Sequence, residues 1–470
     1  MKKLLLLALL VPALALAIYD MDTFDVNHWT TPVYNDGRWG TDITIGGGRA
    51  GGTWPQPLHN CYVFGAGPWF GAIVDSAVPE TLCTFMYYQN SGGSEMCPTL
   101  CRYWRGGTGD SLDRIYQYPG DWPPPASRFP MAPQVPRSDM EMWCGFGDSL
   151  AENHVPPGHP LGIDVYATVH GFSDSLAEDF FFLKYELANC SGESLRQAYF
   201  GMMFDPDIGL GTDDMTGLIR DRLFQVGPDT IRVTNTGYAY DYDTIENPGS
   251  TWESGTPGIV AVMVLSTPES LGLTAFKKFL VGGYDTAIDA EQYLSLAGYD
   301  CGTGTYAPFD TVDTVPGDKA ELLATGPFDI APDSVLTFWY VVIASPCDLS
   351  ELALRCKWAR DVYNQRLASI AEETPKAEVR TANGPTVVRG VLFLPRDMTG
   401  KQGLYRASPR SEGLSLFSAT LLDASGRAVM PLRPGPNDVS HLSPGVYFVR
   451  ERLQARGHKL QAVRKVIVAR

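Results

Sequence analysis

The densest chemistry-bearing segment of the sequence is Asp205-Pro-Asp-Ile-Gly-Leu-Gly-Thr-Asp-Asp214. It places Asp205, Asp207, Asp213 and Asp214 within one loop, with Gly209 and Gly211 between them. Ca²⁺ takes six to eight oxygen ligands on a flexible turn, so these four aspartates are the candidate metal ligands. Pro206 and the position of Gly209 do not fit an EF-hand, and a solvated acidic loop is the alternative. Ser149, in Phe146-Gly-Asp-Ser-Leu150, is a candidate nucleophile. Its partners would be Asp438 and His441 in Asp438-Val-Ser-His441, which has Asp-x-x-His spacing. His154 and His159 flank Gly158 and two prolines and read as surface-loop histidines. Cys97 and Cys101 have a spacing that suits zinc, but no second Cys or His pair accompanies them, so burial or a disulfide is expected. Trp29, Trp39, Trp54, Trp69, Trp104 and Trp122 read mainly as core, with a sugar-stacking platform as the alternative.

These residues sit in a chain of 470 residues, long enough for two or three domains. Lys2 and Lys3, the apolar run Leu4–Leu16 and Ala15-Leu16-Ala17 form a secretory signal peptide over 1–17. The run is shorter than the roughly 18 apolar residues of a membrane-spanning helix. The mature chain is therefore expected outside the cytoplasm. Its nine cysteines leave at least one unpaired, and some are expected in disulfides.

The net charge of −16 argues against nucleic-acid binding. It is unevenly spread: from Lys376 onward 16 Lys+Arg meet 6 Asp+Glu, +10, which leaves −26 for the rest. A reversal of that size marks a domain boundary. The polar stretch 372–385 reads as a linker. It separates a β-rich passenger over 18–371, with a subdomain boundary expected near 160, from a domain over 386–470.

Gly/Pro punctuation among Tyr, Phe, Val and Thr favours β structure, and the fold class is mainly β: a β-sandwich passenger with a few helices. Cys61–Phe64 and Trp69–Val74 read as short strands. Gly162–His170, Asp179–Ala188 and Leu195–Asp205 read as a three-stranded antiparallel meander. Further strands are predicted at Thr230–Tyr242, Gly258–Ser266 and Val335–Ala344, and an extended Pro-rich surface loop over Tyr118–Pro136. Helices are predicted over Asp285–Ala297 and, more strongly, Asp348–Ala371, where Leu349, Leu352, Ala353, Cys356, Ala359, Val362, Tyr363 and Leu367 share one face. Asp348 or Ser350 caps the latter.

Beyond Thr386 five short strands, Val387–Leu394, Leu414–Asp423, Arg427–Leu432, Gly445–Arg452 and Ala462–Val468, alternate with turns at Asp423–Gly426, Pro434–Asn437 and Ser443–Gly445, the pattern of a small Ig-like β-sandwich. The ordered set Leu421-Leu-Asp-Ala-Ser-Gly-Arg-Ala-Val429, Gly435-Pro-Asn437, Leu442-Ser-Pro-Gly-Val-Tyr-Phe-Val-Arg450 and Val463-Arg-Lys-Val-Ile-Val-Ala-Arg470 resembles the C-terminal type A sorting domain of type IX secretion cargo. Asp423, Gly426, Arg427, Pro444, Gly445, Tyr447 and Lys465 carry the resemblance. It implies export by the Sec machinery, passage through the type IX translocon of the outer membrane, and removal of the domain by a C-terminal signal peptidase. The product would be secreted or cell-surface.

Phe64–Ile73, Pro160–Tyr166 and Ala177–Tyr185 resemble uncharacterised secreted proteins with such tails, which implies no activity. Gly147-Asp-Ser-Leu150 resembles the first block of GDSL esterases. Its context is a β-meander rather than a parallel-strand elbow, and its Asp438 and His441 would lie in the sorting domain. Two functions follow: a non-enzymatic structural, adhesive or ligand-binding protein, with a glycan as a candidate ligand, or a secreted hydrolase acting on polysaccharide. A hydrolase would need two facing carboxylates, which are set by space and not by spacing in sequence.

Overall fold

The computed structural model describes residues 19–368, 386–388, 391–394 and 414–468, except 43–48, 77, 87–93, 101–111, 155–157, 281–287, 301, 311–312, 424–426, 434, 440 and 456–457. The expected signal peptide 1–17 and the expected linker 372–385 lie outside those residues. The chain divides into two compact units, Met1–Ile370 and Ala371–Arg470. It is mainly β, with several antiparallel sheets and few helices. Among the described residues no helix is long and apolar enough to cross a membrane.

The first unit is built on two facing sheets. The eight-stranded sheet runs, in spatial order, Asp214–Val226, Asp229–Asp241, Ile259–Ser266, Val335–Ser345, Phe180–Asn189, Ile163–Gly171, Met140–Gly147 and Tyr116–Tyr118. The six-stranded sheet runs Ala275–Leu280, Lys319–Ile330, Leu195–Pro206, Cys61–Val74 and Gly52–Thr53, with Glu80–Phe85 also on Cys61–Val74.

Side-chain alternation with a period of two explains the layering. Phe181, Leu183, Tyr185 and Leu187 face the core between the sheets, as do Phe338, Tyr340 and Val342. Across from them stand Leu195, Ala198, Phe200, Met202 and Phe204 of the other sheet. The Phe200 and Phe338 rings stack across that interface at 4.3 Å between centroids. The intervening residues Phe180, Phe182, Trp339, Val341 and Ile343 face outward and are buried by the helix Leu349–Val362. Strands covered on both faces read as unbroken apolar runs, as Phe338–Ala344 does. The helix Asp289–Leu296 covers the outer face of the six-stranded sheet, packing Leu296 with Trp69 and Met203.

Several sequence expectations change. Ile163–Gly171 and Phe180–Asn189 pair as expected, but Leu195–Pro206 belongs to the opposite sheet, so the three do not form a meander. The free edge of Phe180–Asn189 is taken by Val335–Ser345. Asn189 pins the crossing, its Nδ2 donating to the carbonyls of Glu193 and Ile330 at 2.8 and 3.1 Å. Cys61–Val74 is one strand of 14 residues rather than two short ones. Both sheets run across position 160, since Met140–Gly147 pairs with Ile163–Gly171 and Cys61–Val74 with Leu195–Pro206. No subdomain boundary falls there. The second helix is α-helical over Leu349–Val362 and ends in a π-helical turn, Tyr363–Ala368. Asp348, not Ser350, caps it, accepting from the Ser350 amide at 2.6 Å. The Pro-rich stretch is not wholly a surface loop, because Phe129 and Ala132 are buried against Trp143.

The second unit has a five-stranded sheet, ordered Thr386–Val388, His458–Val468, Gly445–Ala455, Leu414–Leu422 and Ala428–Leu432. Val391–Leu394 and Gly435–Asp438 form a second, two-stranded sheet. Leu421, Leu432, Val439 and Val449 form its core. The expected strand Val387–Leu394 is divided between the two sheets.

Candidate metal centre

Strand register decides where the acidic loop goes. Asp205 lies near the end of Leu195–Pro206 in one sheet, and Asp214 opens Asp214–Val226 in the other. The loop therefore bridges the two sheets. Gly209 and Gly211 have φ near +70° and +67°. A Cβ at Gly209 would meet the Glu246 carboxyl at 2.0 Å, and one at Gly211 would meet the Asp207 carboxyl at 2.3 Å. Only glycine fits both the left-handed backbone and the carboxylates packed on it. Glu246 Oε1 accepts the Leu210 amide at 2.8 Å, and the Tyr242 amide donates to the Asp213 carbonyl at 3.3 Å. The Gly317 amide donates to the Asp214 carbonyl at 3.1 Å, which brings a third segment to the same place.

The four aspartates singled out in the sequence do not form one site. Asp205 and Asp207 gather with Asp318, and Asp213 gathers with Asp241 and Asp243. In each trio one carboxylate oxygen per residue lies within 4.8 Å of the others. Asp214 stands between the trios. It is fully buried and cross-strand paired with Asp241, with its Oδ2 accepting the Ile208 amide at 3.0 Å. Among the described residues Asp207, Asp213, Asp214, Asp241, Asp243, Glu246 and Asp318 form no ion pair with a Lys, Arg or His.

Carboxylates 4.8 Å apart repel by roughly 3.5 kcal/mol at an effective dielectric of about 20. Burial drives Asp214 well above the usual carboxylate range, the Ile208 amide opposes it, and Asp241 and Asp213 add to it. Asp207 is raised in the same way, by burial and then by Asp205, Asp214 and Asp318. Asp241 is pushed up to about 6 by burial first and Asp213 next, with the Thr244 backbone N–H pulling the other way. A bound cation would remove that repulsion and hold the carboxylates ionised.

No protein-family model matches this chain, and no curated protein does. Among solved structures a polysaccharide lyase aligns over 65% of this chain and 34% of its own, at 9% identity and a TM-score of 0.21. The chain thus spans about a third of that structure's length, and likeness at that level carries no argument about either fold or activity.

The other candidate residues are tied into the scaffold. Ser149 Oγ lies 3.1 Å from Thr99 Oγ1, while Asp438 and His441 belong to the second unit. Asp148, beside it, accepts the amides of Leu161, Gly162 and Ile163 at 2.6, 3.1 and 2.8 Å. His154 is buried and not a surface residue. Its Nε2 lies 2.9 Å from the Asp148 carbonyl and its Nδ1 3.5 Å from Glu95. His159 is half-exposed beside Glu80. Trp29, Trp39 and Trp69 are core, Trp54 donates to Asp179, and Trp104 lies outside the described residues. Seven cysteines are free thiols among the described residues; Cys101 and Cys301 lie outside them.

In the second unit Asp423 closes its turn twice: its amide donates to the Arg427 carbonyl at 2.9 Å, and its Oδ1 accepts the Arg427 amide at 3.0 Å. Gly426 lies outside the described residues. Pro444 precedes the strand opened by Gly445, and Tyr447 Oη donates to the Ser443 carbonyl at 2.9 Å. Lys465 pairs with Phe448 in the ladder.

Asp241, Asp243, Glu246 and Asp318 are the site residues that sequence reasoning missed. A signal existed for three of them. Asp241–Glu246 carries three acidic residues from the end of a strand onward, as Asp205–Asp214 carries four.

Proposed function

We propose that this chain is an exported protein whose first unit binds rather than cleaves its target and whose second unit directs it through type IX secretion to the cell surface or medium. The observation that carries this reading is the separate second unit, whose regular elements among the described residues are all strands. Its turns fall at the residues that resemble the sorting domain, with Asp423 clasping Arg427 and Tyr447 bonded to Ser443. The −26 to +10 charge reversal at the same boundary also supports it. A binding role for the first unit draws support from its side chains. Ser149, His154 and Asp148 are engaged in holding loops. His170 meets Glu141 and Ser138 through one ring atom, Nδ1, at 3.3 and 3.2 Å. A relay would need the acid and the hydroxyl on opposite ring nitrogens.

A reporter enzyme fused to residues 371–470 behind a signal peptide, in a bacterium that has the type IX translocon, tests the reading. Surface or extracellular reporter is expected, and periplasmic retention equal to that of the unfused reporter would overturn it.

A further inference from the structure

Across the hairpin formed by Asp214–Val226 and Asp229–Asp241, the terminal pair Asp214↔Asp241 sets two buried carboxylates side by side. Like charges directly opposite each other destabilise a ladder. Asp241 is 1% exposed, and neither of its carboxylate oxygens has a hydrogen-bond partner of good geometry. A buried carboxylate in that state calls for a counter-charge. Its ligand oxygen lies within 4.8 Å of those of Asp213 and Asp243, so it points into that trio.

We propose that Asp213, Asp241 and Asp243 hold a Ca²⁺ ion that ties the end of this hairpin to the loop joining the two sheets. All three ligand groups are carboxylates, with no Cys or His in the trio, which selects a hard cation. Three carboxylates on two adjoining loops offer up to six oxygens in irregular geometry, which suits Ca²⁺ better than the strict octahedron of Mg²⁺. Asp243 is exposed and Asp213 half-buried, so the site opens to solvent on one side while Asp241 forms its floor. The neighbouring trio Asp205, Asp207 and Asp318 is the competing location.

The test uses the full mature chain stripped with a chelator and melted with excess chelator, with Ca²⁺ or with Mg²⁺. Free Ca²⁺ about a hundredfold above Kd lowers the unfolding constant about a hundredfold. For a unit of this size that raises the midpoint by about 4 °C, and Mg²⁺ raises it less. Asp241→Asn should abolish the calcium shift. In chelator it should melt no lower than the wild type, because a buried repulsive charge has gone. Asp243→Asn, at an exposed position that folding does not depend on, should raise the Ca²⁺ concentration needed for the shift. A wild-type midpoint unmoved by millimolar Ca²⁺ would overturn the proposal. So would a shift that survives unchanged in both variants, which would put the ion elsewhere.

Discussion

Replacing Asp179 with alanine removes a carboxylate that joins three distant parts of the first unit. Its Oδ1 lies 3.0 Å from His28 Nδ1 and accepts Trp54 Nε1 at 3.0 Å, and its Oδ2 accepts Arg355 Nε at 2.8 Å. The N-terminal segment and the helix Leu349–Val362 are thereby tied to the strand Phe180–Asn189. The Asp179 and Arg355 side chains are 11% and 13% exposed. Breaking so buried a pair from one side costs about 3–5 kcal/mol, because the guanidinium stays behind unpaired. Arg355 keeps Glu351 at 2.8 Å, but that carboxylate is half-exposed and compensates weakly. Asp179→Ala should therefore cost about 3–4 kcal/mol in urea unfolding followed by tryptophan fluorescence. Arg355→Leu alone should cost less, since Asp179 keeps His28 Nδ1 and the Trp54 Nε1 donor. In a double-mutant cycle the two should couple by about 1.5 kcal/mol or more. Losses below about 1 kcal/mol, or additivity within about 0.5 kcal/mol, would refute the claim that this carboxylate fastens the helix to the sandwich.

Asp148→Ala leaves the buried amides of Leu161 and Ile163 and the part-buried amide of Gly162 without their acceptor and should cost about 2–5 kcal/mol, measured by the same unfolding. Burial pushes Asp148 up to about 7, against the pull of those amides. The folded state therefore binds its proton more tightly, and the associated stability is lost as pH rises from about 4 through 7. Relative to Asp148→Asn, the wild type should lose up to about 4 kcal/mol between pH 4 and 8, and parallel pH profiles would contradict this. Thiol labelling mapped by mass spectrometry should modify exposed Cys347 in the native protein and reach Cys61, Cys83, Cys97, Cys144 and Cys356 only after unfolding. Limited proteolysis should cut between 370 and 386 and leave both products folded, each with its own melting transition.

The sequence made the central strands legible and left their sheet partners open. Phe180–Leu183 and Phe338–Ala344 are unbroken apolar runs and announce themselves. Asp214–Val226 was missed because it is an edge strand whose outer half, Arg220–Leu223, is exposed and mostly charged. Ala275–Leu280 was missed because Lys277 and Lys278 interrupt its apolar pattern. Both are neutralised by residues from a later loop, Lys277 by Asp310 at 2.7 Å and Lys278 by Asp313. Lys319–Ile330 carries Gly326-Pro327 in its interior, which reads as a turn. The acidic loop was legible as a metal candidate, but its division was not. Asp213 and Asp214 are adjacent and so point to different surroundings. Asp241 and Asp318 arrive through strand register and through the Gly317 contact, and spacing along the chain records neither.

The proposed delivery of this protein depends on the second unit acting as the export address. The direct measurement is fractionation of a bacterium with a working type IX translocon, expressing either the full chain or a chain lacking residues 386–470. Full-length passenger is expected at the surface or in the medium, and the truncated form in the periplasm. Truncated passenger reaching the surface at the full-length level would contradict it.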